Sequence, residues 1–175
     1  MTFLGRKIAG PQWARKSDLS DDEVPADIIT KDLKTFENTL SFWASEEGAL
    51  EPWRNAALAM GAACDRLESV DITWVAREDL AADGITLVSS EGDTPVADLR
   101  ANHVDAARLD GVRLASVARR MALAVRNGEP MLRRISKSEL ATMLAEAVSK
   151  SRLRLEDLKD SVRVEVAAQL PKRGG

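Results

Sequence analysis

A single cysteine, Cys64, excludes an internal disulfide and any cysteine-cluster metal site. It falls on an apolar helical stripe, where it reads as a small core residue rather than a nucleophile. A single histidine, His103, leaves no histidine pair for zinc, which needs three or four converging ligands. His103 would also have to be the base of any serine hydrolysis, and no serine lies in a nucleophile-elbow context. Gly5, Gly10, Gly48, Gly61 and Gly84 are spaced wrongly for a dinucleotide or Walker loop. No catalytic residue, metal or cofactor is therefore assigned. No apolar run approaches about 18 residues, so no membrane span is expected. The N-terminus lacks an apolar signal region, and a cytoplasmic setting without membrane partners is expected.

What the chain does have is charge, strongly segregated beneath a net −3. Residues 1–17 carry a net +4, residues 18–110 a net −14 and residues 111–175 a net +7. Such a chain pairs its halves, within or between molecules, or offers partners two surfaces of opposite sign.

The clearest local signals lie between residues 50 and 88. Pro52 suits a first helical position, and Trp53, Ala57, Met60, Cys64 and Leu67 recur on one helical face. The surrounding alanines and Gly61 predict close approach of another layer, because glycine inside a helix costs about 1 kcal/mol relative to alanine. Residues 71–76 read as a strand, 77–83 as a short helix stopped at Gly84, and 85–88 as a second strand.

Around this stretch, residues 1–16 read as an extended basic arm and residues 17–25 as an acidic linker. Residues 27–34 and 39–44 read as two strands, with Ile29 and Leu33 on one face of the first. In the second, Leu40, Phe42 and Ala44 oppose Ser41 and Trp43. Trp43 then lies on an open sheet face or beneath the arm or the C-terminal helices. Residues 96–109 show little periodicity. Asp110 can cap a helix over 111–126 that ends at Asn127-Gly128. Ser136 to Glu139 forms a capping box, followed by a helix with Leu140, Met143, Leu144, Ala147 and Val148. After a short break, a second helix carries Leu155, Leu158, Val162, Val166 and Leu170 up to Pro171, making an αα-hairpin.

The expected fold is α+β, with about four strands in a small mixed or antiparallel sheet and helices on one face. Residues 1–26 form arm and linker, 27–130 the α+β domain, and 131–175 the hairpin, packed on the domain or in a dimer seam. The abundance of Ala, Arg, Asp and Val reads as a GC-rich bacterial gene. The expected function is non-enzymatic: binding of a protein partner or a second copy, immunity- or antitoxin-like, since an acidic surface can cover a basic toxin site. The interaction residues expected are Trp43, Arg119, Arg120, Leu144, Arg152, Arg154, Leu158 and Val162. One alternative is a nucleic-acid-binding regulator using the basic arm and C-terminal third. Another is a metal-dependent hydrolase or nuclease drawing on Asp21, Asp22, Glu46, Glu47, Glu78, Asp79, Glu91 and Asp93.

Overall fold

The computed structural model describes residues 1–13, 20, 23–126 and 131–170. Arg15, Lys16, most of the linker, the stop at Asn127-Gly128 and the tail from Pro171 lie outside the described residues.

The chain opens with strand β1, Phe3–Ile8, where the sequence suggests a loose arm. Leu4 and Ile8 point into one core, while Phe3 packs against the other. A cation at Arg6 and a glycine at position 5 hide this alternation in the sequence. A Cβ at Gly5 would stand 2.9 Å from the Cβ of Ala56, so glycine lets a helix lie directly on the strand. A short helical turn α1, Gly10–Trp13, follows.

Residues expected as a strand form helix α2, Ala26–Asp32, instead. Ile29 and Leu33 are four apart, a spacing that suits both a strand face and a helical turn, and Pro25 leads into the helix. Glu37 and Asn38 take positive φ in the turn before strand β2, Leu40–Ala44. β2 divides its side chains as expected, with Leu40 and Phe42 in one core and Trp43 in the other.

Helix α3, Arg54–Ala63, strand β3, Val70–Ala76, and helix α4, Arg77–Ala82, follow the expected order. Gly84 ends α4 with φ +75, leading to strand β4, Thr86–Ser90. A 3-10 turn, Ala97–Asn102, and strand β5, His103–Ala107, fill the weakly periodic region. β5 escapes the sequence reading because its alanines and aspartate have low strand preference. Helix α5, Gly111–Arg126, is capped at Asp110, whose Oδ1 accepts the Arg113 amide at 2.8 Å. Strand β6, Leu132–Ile135, escapes for another reason: it is a short edge strand with only Ile135 buried.

Helix α6, Lys137–Ser149, is capped by Ser136, whose Oγ accepts the Glu139 amide. Only half of the capping box forms, since the Glu139 carboxylate pairs with Arg133 at 2.9 Å. Helix α7, Asp160–Gln169, packs on α6. The two are joined through residues 150–159, which include a 3-10 turn, Leu155–Asp157, in place of the expected short hairpin gap.

The sheet has six strands in the order β4-β5-β2-β1-β3-β6, and every neighbouring pair is antiparallel. β1 therefore lies inside the sheet and β6 at its edge, so the first and last expected segments share one sheet with the middle. Helices cover both faces, correcting the expectation of one. α3, α6 and α7 enclose one core, and α1, α2, α4 and α5 contribute to the other. The small residues of α3 admit α6 as the sequence suggests: a Cβ at Gly61 would meet Leu140 Cδ1 at 2.8 Å.

Candidate functional site

β1 pairs with β3 along its whole length, from Phe3 opposite Ala76 to Ile8 opposite Asp71. Toward β2 it pairs only at Leu4–Ala44 and Gly5–Trp43. β2 meanwhile stays paired with β5 as far as Leu40. The ladder is thus open between residues 6–8 and residues 40–42.

Arg6 reaches across this opening. Its Nη1 donates to the Ser41 carbonyl at 2.6 Å and its Nη2 to the Asp32 carbonyl at 3.1 Å. Cζ lies 5.8 Å from the Phe42 ring centroid. Nε is buried without an acceptor. Burial pushes the guanidinium down to about 10, against an opposing pull from Asp32, so it keeps its charge at neutral pH. Asp32 does not close an ion pair with it. The Asp32 Oδ2 accepts the Ala9 amide at 2.7 Å and the Trp13 indole N–H at 2.6 Å. Lys7, Lys31, Trp43 and Met60 also line the opening, which has a volume of about 410 Å³. An adjoining cleft shares Lys7, Trp43 and Met60 and extends to Cys64. Cys64, expected in the core, is only half-buried at the end of α3, and burial raises its thiol.

A polar chain crosses β4, β5 and β2 beside Trp43. Ser90 lies opposite His103 in register, and its Oγ is 2.7 Å from His103 Nδ1 and 2.7 Å from Asp105 Oδ2. Ser41 Oγ donates to the other Asp105 oxygen at 3.0 Å. A carboxylate only accepts and a hydroxyl has one proton, so donation runs from His103 Nδ1–H to Ser90 and from Ser90 to Asp105. In a nucleophilic triad the imidazole stands between hydroxyl and carboxylate. Here the serine stands between them, and its proton is held by the acid. The arrangement orients the imidazole, which meets Trp43 edge-on with centroids 5.0 Å apart. Strand period alone would place His103 and Asp105 on one face, but Ser90 joins them only through strand pairing.

The end of β1 away from the opening carries an excess of acid, although Glu47 pairs with the Met1 amino group at 3.5 Å and Glu51 with Arg54 at 3.3 Å. The Gly48 amide donates to the Met1 carbonyl at 3.3 Å, and the Arg77 amide to the Thr2 carbonyl at 3.0 Å. These bonds bring Glu46, Glu47 and Glu51, after β2, to the same end as Glu78 and Asp79 at the start of α4. Leu50, within that loop, is 99% exposed.

The residues expected to bind partners divide sharply. Leu144, Leu158 and Val162 are buried with α3 in one core and present no surface. Trp43 is 7% exposed, in that same core; a Cβ at Gly92 would collide with its ring. Gly92, in the body of the chain, therefore lies against it. Arg120 forms a bidentate pair with Asp83, which Arg119 also influences through space. Arg152 holds Asp98 at 2.6 Å, and Arg154 holds Asp157 at 2.8 Å. Several charges of the segregated segments thus meet inside one molecule. Arg6, the cation at the open ladder, is read in the sequence only as a nucleic-acid contact of a basic arm, because its place between two strands is set by pairing distant in the chain.

Asp21 and Asp22 lie outside the described residues, and among the described residues no group of three His, Cys, Asp or Glu is placed to hold a metal ion. Nor is any described helix long and apolar enough to cross a membrane. Compared with protein families, curated proteins and solved structures, the chain matches none.

Proposed function

We propose that the chain is a non-enzymatic bacterial binding protein of the cytoplasm, whose acidic end docks on a basic protein surface. The observation that carries this reading is Leu50, 99% exposed between Glu47 and Glu51 on a loop tied back to β1. An apolar side chain projecting among carboxylates suits a partner with a small pocket inside a basic rim, where the charges speed and orient the encounter. Immunity- or antitoxin-like action is the form of this binding that an acidic surface favours. A protein partner is favoured over nucleic acid because Arg120, Arg133, Arg152 and Arg154 already hold carboxylates of the same chain. Burial of Leu144, Leu158 and Val162 moves self-association through α6 and α7 to second place.

The test compares proteins that co-purify with the tagged chain and with a Glu46→Lys, Glu47→Lys, Leu50→Ser variant, both expressed in the native cell. The three side chains are exposed, so the variant should fold as the wild type does. A basic partner retained by the wild type should be lost by the variant. Equal recovery of every partner would overturn the reading.

A further inference from the structure

We infer that the opening between β1 and β2 binds a small organic anion, a phosphate or carboxylate carried on a flat apolar group. This site lies at the other end of β1 from the acidic loop and does not depend on the protein-docking reading.

The argument begins with the ladder. Two antiparallel strands that pair at Leu4–Ala44 and Gly5–Trp43 stop pairing at the next residues, although each remains bonded to its other neighbour. An interrupted ladder within a sheet leaves backbone donors and acceptors available, and such interruptions recur where ligands approach the main chain.

Arg6 carries the argument further. Of its five N–H bonds, two have acceptors within the chain, both neutral carbonyls, and Nε is buried with none. A half-buried guanidinium whose described bonds are to neutral carbonyls gains from an anionic partner, and an incoming oxyanion that reaches its remaining Nη N–H bonds supplies one. Lys7 and Lys31, each exposed and outside any ion pair among the described residues, line the same opening. Asp32 accepts from Ala9 and Trp13 and keeps its negative charge, but Arg6, Lys7 and Lys31 outnumber it, so the balance facing a ligand is positive.

The size and walls of the opening define the rest of the ligand. About 410 Å³ falls in the range of small-molecule sites and exceeds what a bare phosphate fills. Trp43 and Met60 supply apolar walls, against which a flat ring can lie. The Ser41 hydroxyl is exposed beside them.

The experiment uses the full chain, labelled for amide NMR, titrated separately with phenyl phosphate, benzoate and inorganic phosphate. Phenyl phosphate or benzoate should shift the Lys7 and Ser41 amides and the Trp43 indole N–H saturably, and whichever binds tighter names the oxyanion. Inorganic phosphate should bind more weakly than phenyl phosphate. A Lys7→Gln, Lys31→Gln variant, altered only at exposed side chains, should bind at least about tenfold more weakly. No saturable shift of these resonances by either aromatic probe up to about 10 mM would overturn the inference. Unchanged affinity in the double variant would do so too. Equal affinity for inorganic and phenyl phosphate would overturn the apolar half of the site.

Discussion

Arg120 closes on Asp83 through two side-by-side hydrogen bonds, Nε to Oδ2 at 2.7 Å and Nη2 to Oδ1 at 2.5 Å. The pair joins α5 to the turn after α4, and Ser116 adds a third bond to the same carboxylate at 2.9 Å. Thirty-seven positions separate the partners in sequence, so the contact reports tertiary packing alone.

This pair has a pH signature. The Arg120 hydrogen bonds, aided by Ser116, hold the Asp83 carboxyl below its ordinary value. A carboxyl lowered in the folded state stabilises the protein fully above its unfolded pKa, near 3.9, and loses that contribution as pH falls through the folded value. Arg120→Ala should cost about 1 kcal/mol near neutrality, a figure kept small because both side chains are partly solvated. The difference between wild type and variant should shrink on acidification below about pH 4. Urea unfolding of both proteins at pH 7 and pH 3 measures it; an equal difference at both pH values would contradict the pairing.

Leu144 is fully buried. Leu144→Ala should lower stability by about 2–5 kcal/mol through lost burial and a residual cavity. The mass of the folded protein in light scattering should stay the same. A stable variant with halved mass would return Leu144 to a dimer seam.

Gly61 and Leu140 set the spacing of α3 and α6. Gly61→Ala improves helix propensity by about 1 kcal/mol, but its Cβ would stand 2.8 Å from Leu140 Cδ1 and 3.1 Å from Leu140 Cγ. Overpacking of a closed core typically costs about 1–3 kcal/mol, so net destabilisation is expected. Adding Leu140→Ala should make the alanine at position 61 neutral or favourable. Thermal unfolding of the four proteins in a double-mutant cycle checks this, and additive effects would deny the contact.

Much of the local structure was legible in the sequence. The presence of a helix at α3, the positive-φ glycine after α4, the Asp110 and Ser136 caps and the alternation of β2 are written in neighbouring residues, although Cys64 and Leu67 of the expected α3 stripe fall beyond the helix. Each depends on the preferences of one turn or one strand, so a short window suffices. Ile29 and Leu33 mark the limit of that method. Their spacing suits either period, and the helix at α2 prevails once its buried Ile28 packs in the second core.

Short-range residue preferences specify which segments are helical or extended over most of the middle, and where their caps lie. Only tertiary structure decided that the first strand sits inside the sheet, that helices cover both faces and that basic residues near the end neutralise acids from the middle. The tertiary fold also sets Ser90 between His103 and Asp105, and Arg6 in an open ladder with its Nε buried and without an acceptor among the described residues. The physical reason is common to all of these. Strand pairing, burial of a cation and ion-pair choice depend on residues far apart in the chain, and no local periodicity carries that information.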